Sequence, residues 1–176
     1  MKEVKIEGED FYLVDFTEDH ISSEYLSWLK DKKVNEYLLK PRLDITLEEA
    51  SEYCFEMIES KRDIFLAILE KNTLLHIGNV RLGPIDWRLK HCKFSMMIGN
   101  KKFHGRGLGT RIVKSCIGFV FSELKLSKFY LDVLQQNIAA IRTYEKNGLV
   151  IERVLKDQFK QNGKPTNALL MSLINE

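Results

Sequence analysis

The residues best placed to do chemistry form a loop in which Gly105, Gly107 and Gly109 stand at alternate positions. An apolar run at 94–98 precedes this loop and predicts a buried strand, while an amphipathic stretch after it predicts a helix. The first N–H groups of a helix lack partners within it, and the helix dipole favours negative charge there. Arg106 adds a fork of donors that suits phosphate. The stretch therefore predicts a backbone cradle for a pyrophosphate or a similar group.

The spacing of these glycines departs from two common nucleotide-binding motifs. The dinucleotide fingerprint is G-x-G-x-x-G, and here the third glycine comes one residue too early. The P-loop needs G-K-[ST] at the helix start, and Gly109-Thr110 lacks the lysine. A tight turn that caps the helix without binding any ligand is the alternative interpretation.

The composition favours one globular domain over residues 1–176. The chain is long enough for a full core, with 44% hydrophobic and 30% charged residues. It shows neither the apolar core of a signal peptide nor a run of membrane-spanning length, so we expect a cytoplasmic protein without a membrane partner. The net charge of +2 implies no polyanion partner, and we expect no nucleic-acid binding. A multiply charged cofactor accounts more simply for the basic residues near the glycine loop, which are Lys101, Lys102, His104, Arg106, Arg111 and Lys114.

The cysteines and histidines predict no metal site. Cys54, Cys92 and Cys116 show no C-x-x-C pattern, and the four histidines lack metal-ligand spacing. Two of the cysteines fall on the apolar faces of predicted helices, Cys54 and Cys116. We expect reduced, buried cysteines that serve packing.

Hydrophobic periodicity predicts a mixed sheet covered by helices, which is an α+β arrangement. The order of elements is ββ, helices, βββ, α, β, α, ββ. Strands are predicted at 3–7, 11–16, 63–70, 74–82, 91–99, 128–134, 149–155 and 167–174. Helices are predicted from Thr17, at 34–39, at 47–60 with a Thr46 capping box, at 110–124 and at 137–147.

Two blocks of sequence resemble the motifs of a known superfamily. The run Gly-Arg-Gly-Leu-Gly-Thr at 105–110 resembles the core acetyl-CoA motif of the GCN5-related N-acetyltransferases. Residues 137–149 resemble the second motif, N-x-x-A-x-x-x-Y-E-K-x-G-F, with Leu149 in place of the final aromatic residue. A weaker block at 28–31 is similar to the branch that contains ribosomal-protein, spermidine and amino-sugar acetyltransferases.

The resemblance implies a splayed mixed sheet of about seven strands flanked by helices, and acetyl-CoA as the acetyl donor. The pyrophosphate would sit on the N–H groups of the cradle, and the pantetheine arm would lie between two parting strands. His104 stands where the family often has Gln or Arg, so its contact with phosphate would be weaker. The implied cofactor-binding residues are Met96, Met97, Ile98, His104, Gly105, Arg106, Gly107, Leu108, Gly109, Thr110 and Asn137.

The resemblance assigns the catalytic role to Tyr144. Asn137 and Tyr144 are seven residues apart and therefore share one helix face. A phenol with a pKa of ~10 can hydrogen-bond or protonate a departing thiolate with a pKa of ~8.5. The alternative is a core aromatic residue whose hydroxyl is satisfied within the protein.

The general base is not assigned. Relatives often carry an acidic residue on the strand before the cradle, but the matching position here is Lys93, and Ser95 stands where the family has a neighbouring glycine. His91 or Asp132 acting through a water, or bulk solvent, are the substitutes that the sequence offers.

The expected function is direct acetyl transfer to a primary amine. Residues 77–85 resemble relatives that act on nucleotide-linked amino sugars, so we rank that acceptor first, then a protein N-terminus, then a polyamine. A non-catalytic acyl-CoA-binding module is the alternative of another class, and a homodimer is one open oligomeric state. Acceptor specificity is expected from the helices at 18–60 and the hairpin at 155–167, with Trp28, Tyr37, Tyr53, Phe159, Glu24, Asp31, Glu36 and Glu52.

Overall fold

A computed structural model describes residues 3–39, 43–161 and 163–175. The strands in these ranges are β1 (Lys5–Glu7), β2 (Phe11–Asp15), β3 (Ile64–Glu70), β4 (His76–Asp86), β5 (His91–Ile98), β6 (Lys128–Leu134), β7 (Val150–Gln161) and β8 (Lys164–Ile174). The α-helices are α1 (Ser23–Lys30), α2 (Leu47–Glu59), α3 (Leu108–Ser122) and α4 (Ile138–Lys146). Short 3-10 turns occur at Glu18–His20 and Lys101–Phe103.

The strands form one sheet in the order β1-β2-β3-β4-β5-β6-β8-β7. Neighbouring strands are antiparallel except for β5 and β6, which run parallel. The predicted mixed α+β sheet is confirmed, with eight strands in the described part of the chain rather than about seven.

The parallel pair separates soon after it begins. His91, Cys92 and Lys93 of β5 pair with residues 128–130 of β6, yet β5 continues to Ile98 and β6 to Leu134. We call the space between the unpaired continuations of these two strands the cleft. The expected splay of the sheet is therefore confirmed, and within the described part of the chain residues 94–98 of β5 have no partner strand on the β6 side.

Each face of the sheet carries its own core. Helices α3 and α4 cover one face, where the side chains of Ile112, Val113, Cys116 and Val120 are fully buried. Helices α1 and α2 cover the other face, where Cys54 is fully buried beside Tyr25. The continuous apolar run Ile64–Ile68 of β3, in which all five residues are buried, fits a strand covered on both faces. The cysteines are free and buried, as expected.

The segment before α2 differs from the prediction. Thr17 begins a 3-10 turn rather than a long helix, and α1 begins at Ser23 with the Ser22 hydroxyl accepting from the Tyr25 N–H at 3.1 Å. The predicted helix at 34–39 is a series of turns. Its buried Asn35 side chain donates to three carbonyls at the end of α1, at 2.7 to 2.9 Å. These side-chain bonds stabilise a compact turn there and replace a helical repeat.

The capping box of α2 forms as predicted, with reciprocal bonds between Thr46 and Glu49 at 2.9 and 3.2 Å. Within the three described ranges, no helix is long and apolar enough to cross a membrane.

Candidate active site

The glycine loop leads into α3 through two residues in the left-handed region. Gly105 has a φ of 71° and Gly107 a φ of 72°, a conformation that costs a residue with a Cβ about 1–2 kcal/mol. Gly107 is the N-cap of α3 and has no side chain to bind the first-turn N–H groups. The amides of residues 108–110 therefore open toward the loop, as an anion cradle requires.

A bracket of charged residues holds this loop in place. Arg111 binds both carboxylate oxygens of Asp10, with Nε–Oδ1 at 3.0 Å and Nη2–Oδ2 at 2.5 Å. Its remaining nitrogen, Nη1, donates to the Arg106 carbonyl at 3.2 Å. The Asp10 carboxylate raises the pKa of Arg111. The turn between β1 and β2 is thus fastened to the cradle, a contact that the sequence pattern did not indicate.

The predicted phosphate ligands differ in how the structure places them. The side chain of Arg106 is exposed at the loop. The His104 Nε2 lies 2.7 Å from the Ile98 carbonyl and must donate to it, because a carbonyl only accepts. A neutral His104 then presents Nδ1 as an acceptor, so a contact with an anion requires the ring to turn or to gain a proton.

The end of β5 lies against the start of α3. Met96 packs on the α3 side of the sheet and Met97 on the α1 and α2 side. A Cβ added at Gly109 would meet the Met96 Cε at 3.3 Å, so glycine allows this close approach. Residues 96–98 pair with β4 on one side and face the cleft on the other. Backbone groups on that side can pair with an extended ligand.

Helix α4 and its N-cap carry two of the predicted site residues. Asn137 is its N-cap, and its Oδ1 accepts from the Ala140 N–H at 3.2 Å, which leaves the amide NH₂ as the donor end. The ring of Tyr144 packs edge-on against Phe94 of β5, with centroids 6.4 Å apart. Burial raises the pKa of Tyr144 to about 12. Asn147 Nδ2 donates to the Thr110 carbonyl at 3.2 Å, which joins the end of α4 to the start of α3.

The strand positions considered for a general base hold an ion pair and a serine. Lys93 Nζ lies 2.5 Å from Asp132 Oδ2 across the mouth of the cleft, and Asp132 is 10% exposed. This ion pair links β5 to β6 where the two strands separate. The Lys93 ammonium also offsets the negative charge of the Asp132 carboxylate. Ser95 lines the neighbouring pocket, and His91 lies at the other end of β5.

A pocket of about 400 Å³ opens beside Met96 and Met97 on the α1 and α2 side, and we call it the inner pocket. Its lining is mostly apolar or uncharged and comprises Tyr25, Leu29, Asn35, Leu38, Ile45, Tyr53, Phe65, Asn79, Ser95, Met96 and Met97, together with Arg81. Arg81 binds the buried carboxylate of Asp63 through Nε and Nη2, both at 2.7 Å. None of the described lining residues carries a carboxylate.

A second pocket of about 760 Å³, the outer pocket, adjoins the first and shares Asn35 and Leu38 with it. It lies between the turns at 32–38 and the hairpin of β7 and β8. Its other described lining residues are Lys32, Lys33, Glu36, Tyr37, Leu43, Gln136, Lys160 and Gln161.

The residues expected to select the acceptor divide between pockets and core. Tyr53 lines the inner pocket and Tyr37 the outer one. Trp28 is buried, because its ring fills the space above Gly99, where an added Cβ would meet Cδ2 at 2.0 Å. Asp31 is bound to Lys101 at 2.5 Å. Sequence patterns did not single out Arg81 of the inner pocket or the lysines of the outer pocket, which are Lys32, Lys33 and Lys160. No local pattern links β4, the turns at 32–38 and the β7 hairpin.

No group of three or more metal-ligating side chains occurs among residues 3–39, 43–161 and 163–175. The site therefore consists of a backbone cradle, a cleft, a partly buried phenol and two adjoining pockets.

Comparison with known proteins places this arrangement in context. Residues 10–150 match the sequence model of the acetyltransferase (GNAT) domain. Spermidine N(1)-acetyltransferase of Escherichia coli K12 is 34% identical over 96 residues, which are 54% of this chain. The match spans about half of that relative's length, 51%. The human alpha/beta-tubulin-N-acetyltransferase 9 is 25% identical over 148 residues, covering 79% of this chain and 72% of the relative.

Solved structures share the same fold. Spermidine N-acetyltransferase from Vibrio cholerae, in complex with CoA and spermine, superposes with a TM-score of 0.86 at 20% identity, covering 94% of this chain and 95% of that one. The ribosomal-protein-S5-alanine acetyltransferase from Vibrio fischeri gives a TM-score of 0.84 at 18% identity, covering 98% and 97%. Since the domain match covers most of the chain and the fold agrees, the chain belongs to the GNAT acetyltransferase domain family.

Proposed function

We propose that residues 1–176 act as one domain that transfers the acetyl group of acetyl-CoA to a primary amine. The observation that carries this proposal is the convergence of the cradle, the cleft and Tyr144. Gly109 lies close enough to Met96 that an added Cβ would meet Met96 Cε at 3.3 Å, and Asn147 after α4 donates to the Thr110 carbonyl of α3. Family membership and the names of the relatives support the same activity.

The chain's own residues fit this donor. The first-turn amides at 108–110 and the left-handed glycines Gly105 and Gly107 suit a diphosphate that approaches the backbone closely. The free edge of β5 at 96–98 suits the amides of a pantetheine arm, and the Asn137 NH₂ adds a donor beside it. When bound, acetyl-CoA supplies an acyl carbon activated by its thioester and a thiolate leaving group.

Tyr144 would serve as the hydrogen-bond donor to that thiolate. Because burial raises its pKa to about 12, the phenol stays protonated at neutral pH and keeps its O–H as a donor. An N–H on the free edge of β5 would hold the negative charge that develops on the acyl oxygen. The amine would enter from the inner pocket, on the opposite side of the sheet from α3. Because the described lining of the inner pocket holds no carboxylate, the amine would lose its proton to water or arrive neutral.

The acceptor has two leading candidates, each favoured by one observation. The resemblance of residues 77–85 favours an amino sugar linked to a nucleotide, and Arg81 of that segment lines the inner pocket. The spermidine acetyltransferases among the relatives favour a polyamine. A protein N-terminus follows them, since the Vibrio fischeri relative is named for a ribosomal protein.

The experiment is release of CoA thiol from acetyl-CoA when an amino-sugar nucleotide, spermidine or an N-terminal peptide is offered. Calorimetric titration with CoA in the same preparation reports donor binding separately. Turnover of any of these amines supports the transferase. Tight CoA binding with no turnover over a broad amine panel supports a non-catalytic acyl-CoA-binding module instead.

A further inference from the structure

The solvent-exposed part of the outer pocket is lined by positively charged side chains. Lys32 and Lys33 lie on the turns after α1, and Lys160 lies on β7 opposite them, all with exposed side chains. Glu36 is the acidic residue of the described lining, and the Tyr37 hydroxyl donates to its side chain, which raises the pKa of Tyr37. Among the described residues, the lining therefore carries more positive than negative charge.

Asp31, the acidic residue that precedes Lys32 in the chain, does not cancel this charge. Asp31 Oδ2 binds Lys101 Nζ at 2.5 Å, and Oδ1 accepts from the backbone N–H groups of Lys33 and Val34 at 2.8 and 3.2 Å. Its charge is thus directed toward Lys101 and the loop backbone.

The walls of the outer pocket are fixed to each other by a hydrogen bond between distant segments. Gln161 Nε2 on the hairpin donates to the Glu36 carbonyl at 2.9 Å. Gln136 is held by Thr166, with Nε2 donating to Oγ1 at 2.8 Å. The lysines therefore lie on a concave surface whose two walls are linked by a hydrogen bond, and this surface shares Asn35 and Leu38 with the inner pocket.

We propose that the outer pocket binds the phosphates of the acceptor, whose amine reaches the cleft through the inner pocket. This inference rests on the proposed acetyl transfer and names its acceptor class, an amine joined to a phosphate-bearing group such as a nucleoside diphosphate. Lysines on two sides supply charge-assisted hydrogen bonds to phosphate. The exposed ring of Tyr37 offers a stacking surface for a base.

The same lining disfavours a polyamine. A linear polyamine is a polycation, and three lysines around the outer pocket would repel its distal ammonium groups. The inner pocket offers no compensation, since its described lining has no carboxylate and the Asp63 charge is bound to Arg81.

The test is calorimetric titration with uridine diphosphate while saturating CoA occupies the donor site. This design prevents the ligand from binding in the cradle. We expect saturable binding to one site, weakened about tenfold by Lys33→Glu and by Lys160→Glu. Lys5→Glu makes the same charge change on the opposite edge strand, β1, and we expect it to leave the affinity unchanged.

Two further arms identify the group recognised. Tyr37→Ala is expected to weaken uridine diphosphate about tenfold and inorganic pyrophosphate not at all, as stacking on a base requires. If Tyr37→Ala binds uridine diphosphate as tightly as the unsubstituted protein does, the pocket recognises phosphate without contacting a base. In turnover, a nucleotide-linked amino sugar should exceed the free amino sugar and spermidine by at least tenfold in kcat/KM, and Lys160→Glu should abolish this advantage.

The inference is overturned if uridine diphosphate does not bind beside CoA, or binds equally well to Lys33→Glu and Lys160→Glu. If uridine diphosphate fails this test but the protein acetylates another amine, the transferase proposal still holds. Failure of CoA itself to bind overturns the transferase proposal and is read from the titration without uridine diphosphate.

Discussion

At the scale of single residues, Tyr144 is a partly buried phenol packed against β5, one of the two strands that border the cleft. Its ring packs on Phe94, and burial raises its pKa to about 12. A phenol with that pKa is a hydrogen-bond donor over the whole neutral range, which is the role expected for the group facing a thiolate.

Replacing Tyr144 by Phe removes the hydroxyl and keeps the ring. We expect kcat to fall about a hundredfold with little change in the KM for acetyl-CoA, because only the bond to the departing sulfur is lost. Steady-state kinetics with the best acceptor measure this. Tyr12→Phe on β2 is the matched control, and an unchanged kcat in Tyr144→Phe would remove the tyrosine from the mechanism.

A second residue-scale prediction concerns the bracket that fastens the cradle. Asp10→Asn removes the charge that orients Arg111, so the hydrogen bond from Arg111 to the Arg106 carbonyl should weaken. Because the glycine loop is then held less firmly, we expect the dissociation constant for CoA to rise about threefold to tenfold. The melting temperature should change little, since exposed ion pairs contribute little to stability.

Glu7→Gln is the control for this bracket. Glu7 lies on the same hairpin as Asp10, and its substitution breaks a comparable exposed pair with Lys71 at the end of β3, where Nζ–Oε1 is 2.6 Å. If both variants change CoA affinity equally, the bracket has no specific effect on the cradle.

At the scale of elements, the site depends on how α3, β5 and α4 meet. Residues 105–110 and 137–149 could be predicted from sequence because each motif lies within one strand–loop–helix unit. The pockets could not be predicted, because β4, the turns at 32–38 and the β7 hairpin come together only through the sheet order. The start of α1 was also missed, since Thr17 and Ser22 are both good N-caps.

A third prediction concerns Gly107, where the glycine loop joins α3. Gly107→Val strains a left-handed N-cap and places a branched side chain over the first-turn amides, so we expect CoA affinity to fall at least tenfold. Gly148→Val imposes a similar strain at the end of α4, where φ is 85°. Calorimetry with CoA should show normal affinity for Gly148→Val, and normal affinity for Gly107→Val would contradict the cradle.

At the scale of the whole molecule, the dependence of stability on pH reports a buried histidine. Burial lowers the pKa of His76 to about 4, while its Nε2 donates to Asn79 Oδ1 at 2.8 Å. Below pH 6.5 the unfolded chain binds a proton that the folded chain does not, so acid favours unfolding. The free energy of unfolding should therefore fall by roughly 2–3 kcal/mol as pH decreases from 6.5 to 4.

Urea denaturation at several pH values measures this slope. Between pH 7 and 5 the carboxylates with lowered pKa, such as those of Glu70 and Asp86, stay ionised in the folded protein. His76→Gln keeps an amide donor and should flatten the curve in that range. A slope that persists unchanged in His76→Gln would assign the pH dependence to another group, with His20 the first candidate because burial also lowers its pKa.

The central claim is that the cradle holds the diphosphate of acetyl-CoA and that the cleft receives its thioester. A crystal structure with acetyl-CoA bound tests this most directly. We expect the diphosphate on the backbone amides of residues 105–110, the pantetheine arm along 96–98, and the sulfur beside the Tyr144 hydroxyl. A diphosphate bound elsewhere, or a pantetheine arm that avoids the cleft, would contradict the account.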